Sequence, residues 1–108
     1  MSDQLTAIAQ ASHDPDADPF EVLARLEHFA AEHPGLDPDT NGNIRRRLGH
    51  RMLGTAELAA HLGISRELTS QWFRRAKLPE PDQRLAMGPV WRVETILAWE
   101  RARRAATH

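Results

Sequence analysis

The sequence contains no cysteine, which excludes a disulfide scaffold, a cysteine-ligated zinc site and a thiol nucleophile. It contains no tyrosine, so tyrosine-recombinase chemistry is closed to it. No apolar run approaches the roughly 18 residues that a membrane helix needs. The start of the chain has neither the basic stretch nor the apolar core of a signal peptide, so the expected location is cytoplasmic, with no membrane partner. Glycine-rich phosphate loops and a G-x-S-x-G elbow are also missing. The six histidines are scattered, at 13, 28, 33, 50, 61 and 108. His28 and His33 miss the i, i+4 spacing of a helical metal pair, and no carboxylate–histidine motif accompanies them. His61 reads as a boundary residue of its helix. The expectation is no catalytic residue, no metal and no cofactor.

What remains is an ordinary globular composition, 41% hydrophobic and 27% charged over 108 residues. That length suffices for one compact domain with its own core, not two of full size. Lysine is scarce: Lys77 stands alone among 13 arginines. Arginine carries the fork geometry suited to phosphate and guanine. The net charge of −1 conceals a division. Residues 1–43 hold nine acidic side chains against Arg25, a balance of −8, and residues 44–108 balance to +7. Such asymmetry suits a polyanion-binding part joined to an acidic part.

Leu5, Ile8, Ala9 and Ser12 give residues 2–12 weak helical spacing, and the acidic, proline-bearing stretch 13–18 breaks it. Asp18 then caps a clearer helix, with Pro19 in the first position and Glu21 at capping-box spacing. Phe20, Leu23, Leu26, Phe29 and Ala30 recur at helical intervals until Pro34-Gly35 ends the run. Residues 36–43 read as a turn. A short basic helix follows through Ile44 and Leu48, bracketed by Gly49 and Gly54. It carries Arg45, Arg46, Arg47 and Arg51, which are either a solvated face or additional phosphate contacts.

The last 55 residues carry the strongest signal. Thr55 can cap a helix running to His61, with Ala56, Leu58, Ala59 and Leu62 inward. Gly63 supplies a positive φ for a tight turn. Ser65 caps a second helix, expected from Arg66 to about Ala76. Two helices joined in this way form the layout of a helix-turn-helix. Thr69, Trp72, Phe73 and Ala76 share one face by the i, i+3, i+4, i+7 rule. The opposite face presents Glu67, Ser70, Gln71 and Arg74, flanked by Arg66 and Arg75. After the Leu78–Pro81 loop, strands over 83–87 and 89–92 around Gly88 would form a two-stranded β wing. Residues 93–106 read as a closing helix, with Val93, Ile96, Leu97 and Trp99 inward and Arg101, Arg103 and Arg104 outward. Trp72, Trp91 and Trp99 read as core rather than as base-stacking platforms. The expected fold is mainly α: a winged helix-turn-helix over 49–108, preceded by an acidic helical extension over 1–48.

The string TAELAAHLGISRELTSQWFRRAKLP, followed by GPVWRVETILAW, resembles the small MerR-type winged helix-turn-helix group, which includes phage excisionases and compact transcriptional regulators. The shared positions are Thr55, Ala59, Leu62, Gly63, Ile64, Ser65, Leu78, Pro79, Trp91, Arg92, Ile96 and Trp99. They fall within residues 53–101, roughly half the chain. Thr69 departs from the aliphatic residue usual there, Trp72 is larger than the usual leucine, and no long dimerising coiled coil follows. Residues 1–48 fall outside the resemblance.

The resemblance implies double-stranded DNA as the partner, and the residue types agree. The second helix of a helix-turn-helix enters the major groove. There Arg66 and Arg74 reach phosphates or guanine edges, Gln71 pairs with adenine, and Ser70 donates to phosphate. Arg75, which flanks that face, is a further expected DNA contact. Arg84 and Arg92 on the wing would meet phosphates. The implied functions are a sequence-specific transcriptional regulator or repressor, nucleoid-associated, or an excisionase-like directionality factor that assembles cooperatively on DNA beside an integrase. The alternative is an adaptor resembling a phage terminase small subunit. The acidic part would then self-associate, dock on an integrase, polymerase or terminase partner, or fold back to complete the winged domain's core. Chain length favours the fold-back, because an isolated helix of about 15 residues is marginal in water.

Overall fold

A computed structural model describes residues 3–106. They contain six helices and a small three-stranded antiparallel sheet. The chain divides after Arg51 into two compact units. Both are near the lower size limit for a domain with its own core. The division lies three residues beyond the expected boundary and changes the charge picture. Residues 1–51 carry nine acidic and five basic side chains, a balance of −4, and residues 52–108 balance to +3. The sharper contrast of −8 against +7 arises because a cut at 43 gives four arginines of the first unit to the second.

The first unit is three helices, α1 (Asp3–Ala11), α2 (Pro19–Glu32) and α3 (Pro38–Gly49). Asp18 caps α2 as its sequence suggests, accepting from the Phe20 N–H at 3.0 Å. The stretch expected as a turn over 36–43 is largely helical. Asp37 caps α3 and Pro38 opens it, the same Asp-Pro device that starts α2. Gly42 and Asn43, poor helix formers, hide this start in the sequence. The α2 stripe of Val22, Leu23, Leu26 and Phe29 is buried within this unit, together with Ile8, Ile44 and Leu48. Within this unit α1 and α3 give α2 the apolar partners that a lone helix would lack.

The second unit comprises β1 (Met52–Leu53), α4 (Thr55–Leu62), α5 (Arg66–Arg74), β2 (Gln83–Leu85), β3 (Gly88–Arg92) and α6 (Val93–Ala106). The strand order is β1-β3-β2, with Leu53 opposite Trp91 and Arg84 opposite Pro89. The expected two-stranded hairpin thus gains a third strand, which at two residues shows no alternation in the sequence. Leu53, Leu58, Ala59, Thr69, Leu78, Trp91, Val93 and Ile96 form the core. Trp91 is its largest member, and its indole N–H donates to the Pro79 carbonyl at 2.8 Å. The Phe73 ring meets Trp91 edge-on at 5.7 Å.

Trp72 and Trp99, expected in the core, are half-buried. The Arg103 guanidinium lies over both rings, 5.3 Å from one centroid and 4.8 Å from the other. Arg103 therefore covers indole rather than trailing into solvent, and cation–π attraction offsets the rings' exposure. Ala76, also expected inward, is exposed, because α5 stops two residues earlier at Arg74.

Candidate functional site

The second unit aims a small set of polar side chains outward from α5. Two local devices fix where that helix starts. Gly63 takes φ +70°, a left-handed conformation that side chains resist, and so ends α4 sharply. Ser65 then caps α5, its hydroxyl oxygen accepting from the Leu68 N–H at 3.0 Å. At the start of α4 the cap is Gly54 rather than Thr55, which occupies the first helical position. Glu57 satisfies the cap residue's own donor instead, its carboxylate accepting from the Gly54 N–H.

Rotation about α5 is set by Thr69, which is fully buried. Its hydroxyl donates to the Ser65 carbonyl at 2.9 Å, so no polar atom is stranded in the core. With Thr69 inward, Arg66, Glu67, Ser70, Gln71 and Arg74 line one shallow concavity on the outer face. Four of the residues expected at the site thus meet on one surface. Arg75 is the C-cap residue and is exposed, but it does not line that concavity.

A second concavity adjoins the first and shares Arg66 and Ser70 with it. Its other walls are the start of α4, at Thr55 and Ala56, and the β2–β3 hairpin, at Leu85, Met87 and Val90. The hairpin-tip residues were not among those expected at the site. The available signal was an apolar run, Leu85-Ala86-Met87, at a turn where polar residues are usual.

The hairpin arginines do not act as a pair. Arg84 stands opposite Pro89, on the Trp91 side of the sheet, and its guanidinium lies 5.3 Å from the Phe73 ring centroid and 3.6 Å from Glu80. Arg92 stands opposite Met52, on the other side, 3.5 Å from Glu94. Its backbone N–H donates to Asp82, whose carboxylate also accepts from the Thr95 hydroxyl, both at 2.8 Å. Asp82 therefore ties the end of β3 to the start of α6.

Arg45, Arg46, Arg47 and Arg51 belong to the first unit, where their donors have structural work. Arg45 donates to Asn41 at 2.9 Å and Arg46 to Asn43 at 3.1 Å. Arg47 donates to the buried Ser12 hydroxyl at 2.8 Å. Arg51 clamps the acidic loop through the carbonyls of Asp14, Pro15 and Ala17. These are fasteners of a three-helix unit. By contrast, among the described residues the side chains of Arg66 and Arg74 meet no ion-pair or hydrogen-bond partner.

Chemically, the α5 face offers two guanidinium forks, a carboxamide and a hydroxyl on a rigid element. It is a donor-rich surface for anionic oxygens and for planar donor–acceptor edges. Among the described residues no group of three or more His, Asp or Glu side chains is arranged to hold a metal ion. His61 lies 2.7 Å from Glu100, joining α4 to α6, and His108 lies outside the described residues. No helix among the described residues is long and apolar enough to cross a membrane. Comparisons of the chain with protein-family models, with curated proteins and with solved structures found no match.

Proposed function

We propose that this chain is a sequence-specific double-stranded DNA-binding protein of the regulator type, acting by binding and not by catalysis. Its second unit works as a winged helix-turn-helix, in which α4 and α5 are the helix pair and the β2–β3 hairpin is the wing. One observation carries the reading. Arg66, Ser70, Gln71 and Arg74 converge on one outer face of α5, and among the described residues the two guanidiniums on that face have no ion-pair or hydrogen-bond partner. A helix with its opposite face locked by buried Thr69 presents such a set without further ordering cost. In the major groove, Gln71 suits adenine and Arg74 suits guanine. Arg66, in the first turn, suits the phosphate at the groove edge. Glu67 belongs to the same face, where it accepts from a cytosine amine and repels misplaced phosphate.

The separate roles of the other arginines narrow the interface. Arg92 remains a phosphate contact at the wing, whereas Arg45, Arg46, Arg47 and Arg51 hold the first unit together. The first unit therefore supplies assembly or partner contacts and leaves the choice of sequence to α5. Selection of bound duplexes from a random pool by the full chain, followed by affinity measurements over a range of salt, tests the reading. An enriched sequence and an affinity that falls steeply with salt are expected. Absence of salt-sensitive duplex binding overturns it.

A further inference from the structure

The first unit carries a cavity of about 600 Å³ between α1 and α2. Small-molecule sites have this character: concave, about 300–1,000 Å³, mostly apolar, with a few placed polar groups. The apolar surface comes from Ala7 and Ile8 of α1 and from Ala24 and Phe29 of α2. Ile8 and Phe29 are buried, whereas Ala7 and Ala24 are exposed. The two short alanine side chains leave the space between the helices unfilled. The third helix packs on α2 but contributes no residue to the cavity.

Three charged side chains line the same cavity, Asp3, Glu21 and Arg25. Among the described residues, none of the three meets an ion-pair or hydrogen-bond partner. For Arg25 this runs against expectation twice over. It is the only arginine or lysine in residues 1–43, against nine acidic side chains. Glu21 also stands one turn before it on α2, the spacing at which opposite charges pair on a helix. His28, on the same wall, is engaged elsewhere, its Nε2 lying 3.1 Å from Glu32. An apolar anion placed here meets Arg25 but faces two carboxylates. An apolar cation meets the carboxylates but faces a guanidinium. A zwitterion with an apolar body engages both signs, and a guanidinium fork matches its carboxylate. We infer that the α1–α2 cavity binds an α-amino acid with a large apolar side chain. Its carboxylate lies on Arg25, its ammonium toward Asp3 and Glu21, and its side chain over Ile8 and Phe29. Aromatic side chains contribute most, since each buries about 150–250 Å². This ligand belongs to the first unit and is independent of the reading of α5.

The test titrates the isotope-labelled full chain with L-phenylalanine, L-tryptophan and L-leucine and follows backbone amide shifts. Saturable shifts on α1 and α2 are expected, with a Kd at or below about 1 mM and with the aromatic amino acids ahead of leucine. Phenethylamine lacks the carboxylate and hydrocinnamate lacks the ammonium. Each should bind about tenfold or more weaker than L-phenylalanine, the loss of one hydrogen bond between charged groups. Arg25→Gln should weaken L-phenylalanine by about tenfold and leave phenethylamine no weaker. Glu21→Gln should weaken L-phenylalanine by less, because Asp3 remains, and leave hydrocinnamate no weaker. Both side chains are exposed, so both variants should keep the wild-type circular dichroism. Ala24→Trp, also at an exposed position, should fill the cavity and abolish the shifts. The inference is overturned if none of the three amino acids saturates the shifts, or if the shifts fall on the second unit. It is equally overturned if either single-charge analogue binds as well as L-phenylalanine, or if Arg25→Gln leaves the affinity for L-phenylalanine unchanged.

Discussion

At the scale of single residues, the three tryptophans divide into two roles. Trp91 has no exposed surface, bonds Pro79 through its indole N–H and meets Phe73 edge-on. Trp91→Ala leaves a large void and should cost about 3–5 kcal/mol in chemical denaturation, a large share of a small unit's stability. Trp99 is half-buried under Arg103 and donates to the Lys77 carbonyl at 3.2 Å. Trp99→Ala should therefore cost about 1–3 kcal/mol, from partial burial and one cation–π contact. Equal losses for the two variants would mean that the Trp72–Arg103–Trp99 cluster is as much core as Trp91 is. In the sequence all three indoles stand at helical or strand spacing from apolar neighbours, so periodicity alone ranks them alike. What separates Trp72 from Trp91 is the early end of α5, which leaves Trp72 near a terminus.

At the scale of elements, helix ends decide most of what the sequence made legible. Gly63 and Ser65 are strong punctuation, and the break between α4 and α5 lies where they predict it. Asp18-Pro19 marks the start of α2 equally well. Asp37-Pro38 carries the same meaning for α3 but is followed by Gly42 and Asn43, whose weak helix propensity outvotes it until Ile44 and Leu48 find partners in the core. The strand β1 had no pattern to read, because two residues cannot alternate. The apolar period runs on to Ala76, two residues past the end of α5 at Arg74. There the backbone turns left-handed instead, at φ +56°, and lets the Lys77 N–H reach the Trp72 carbonyl at 2.8 Å. That conformation strains an alanine and not a glycine. Ala76→Gly should therefore stabilise the unit by about 1 kcal/mol, seen as a raised denaturant midpoint with unchanged slope. A lowered midpoint would show that the strain is already relieved.

At the scale of the whole molecule, two small cores replace the single one expected from chain length. Their charges, −4 and +3, differ less than a cut at residue 43 suggests. Removal of residues 1–51 should leave the selected DNA sequence unchanged, since the α5 face lies wholly in the second unit. A different enriched sequence from the shortened chain would show that the first unit takes part in readout. The candidate site itself was half legible. The α5 face follows from helical geometry once Ser65 fixes the start, but the hairpin tip does not, because the concavity that it walls is shared between elements distant in sequence.

In the proposed reading Arg74 on α5 reads a base while Arg92 on the wing only anchors to phosphate, and a comparison of two variants separates these roles. The full chain, Arg74→Ala and Arg92→Ala are each titrated with the enriched duplex and with random duplex over a range of salt. Arg74→Ala should weaken the enriched duplex by about 1–3 kcal/mol more than random DNA, the value of one good base contact. Arg92→Ala should weaken both alike and flatten the salt slope by about one unit. Equal losses on enriched and random DNA for Arg74→Ala would contradict the assignment of α5 as the recognition helix.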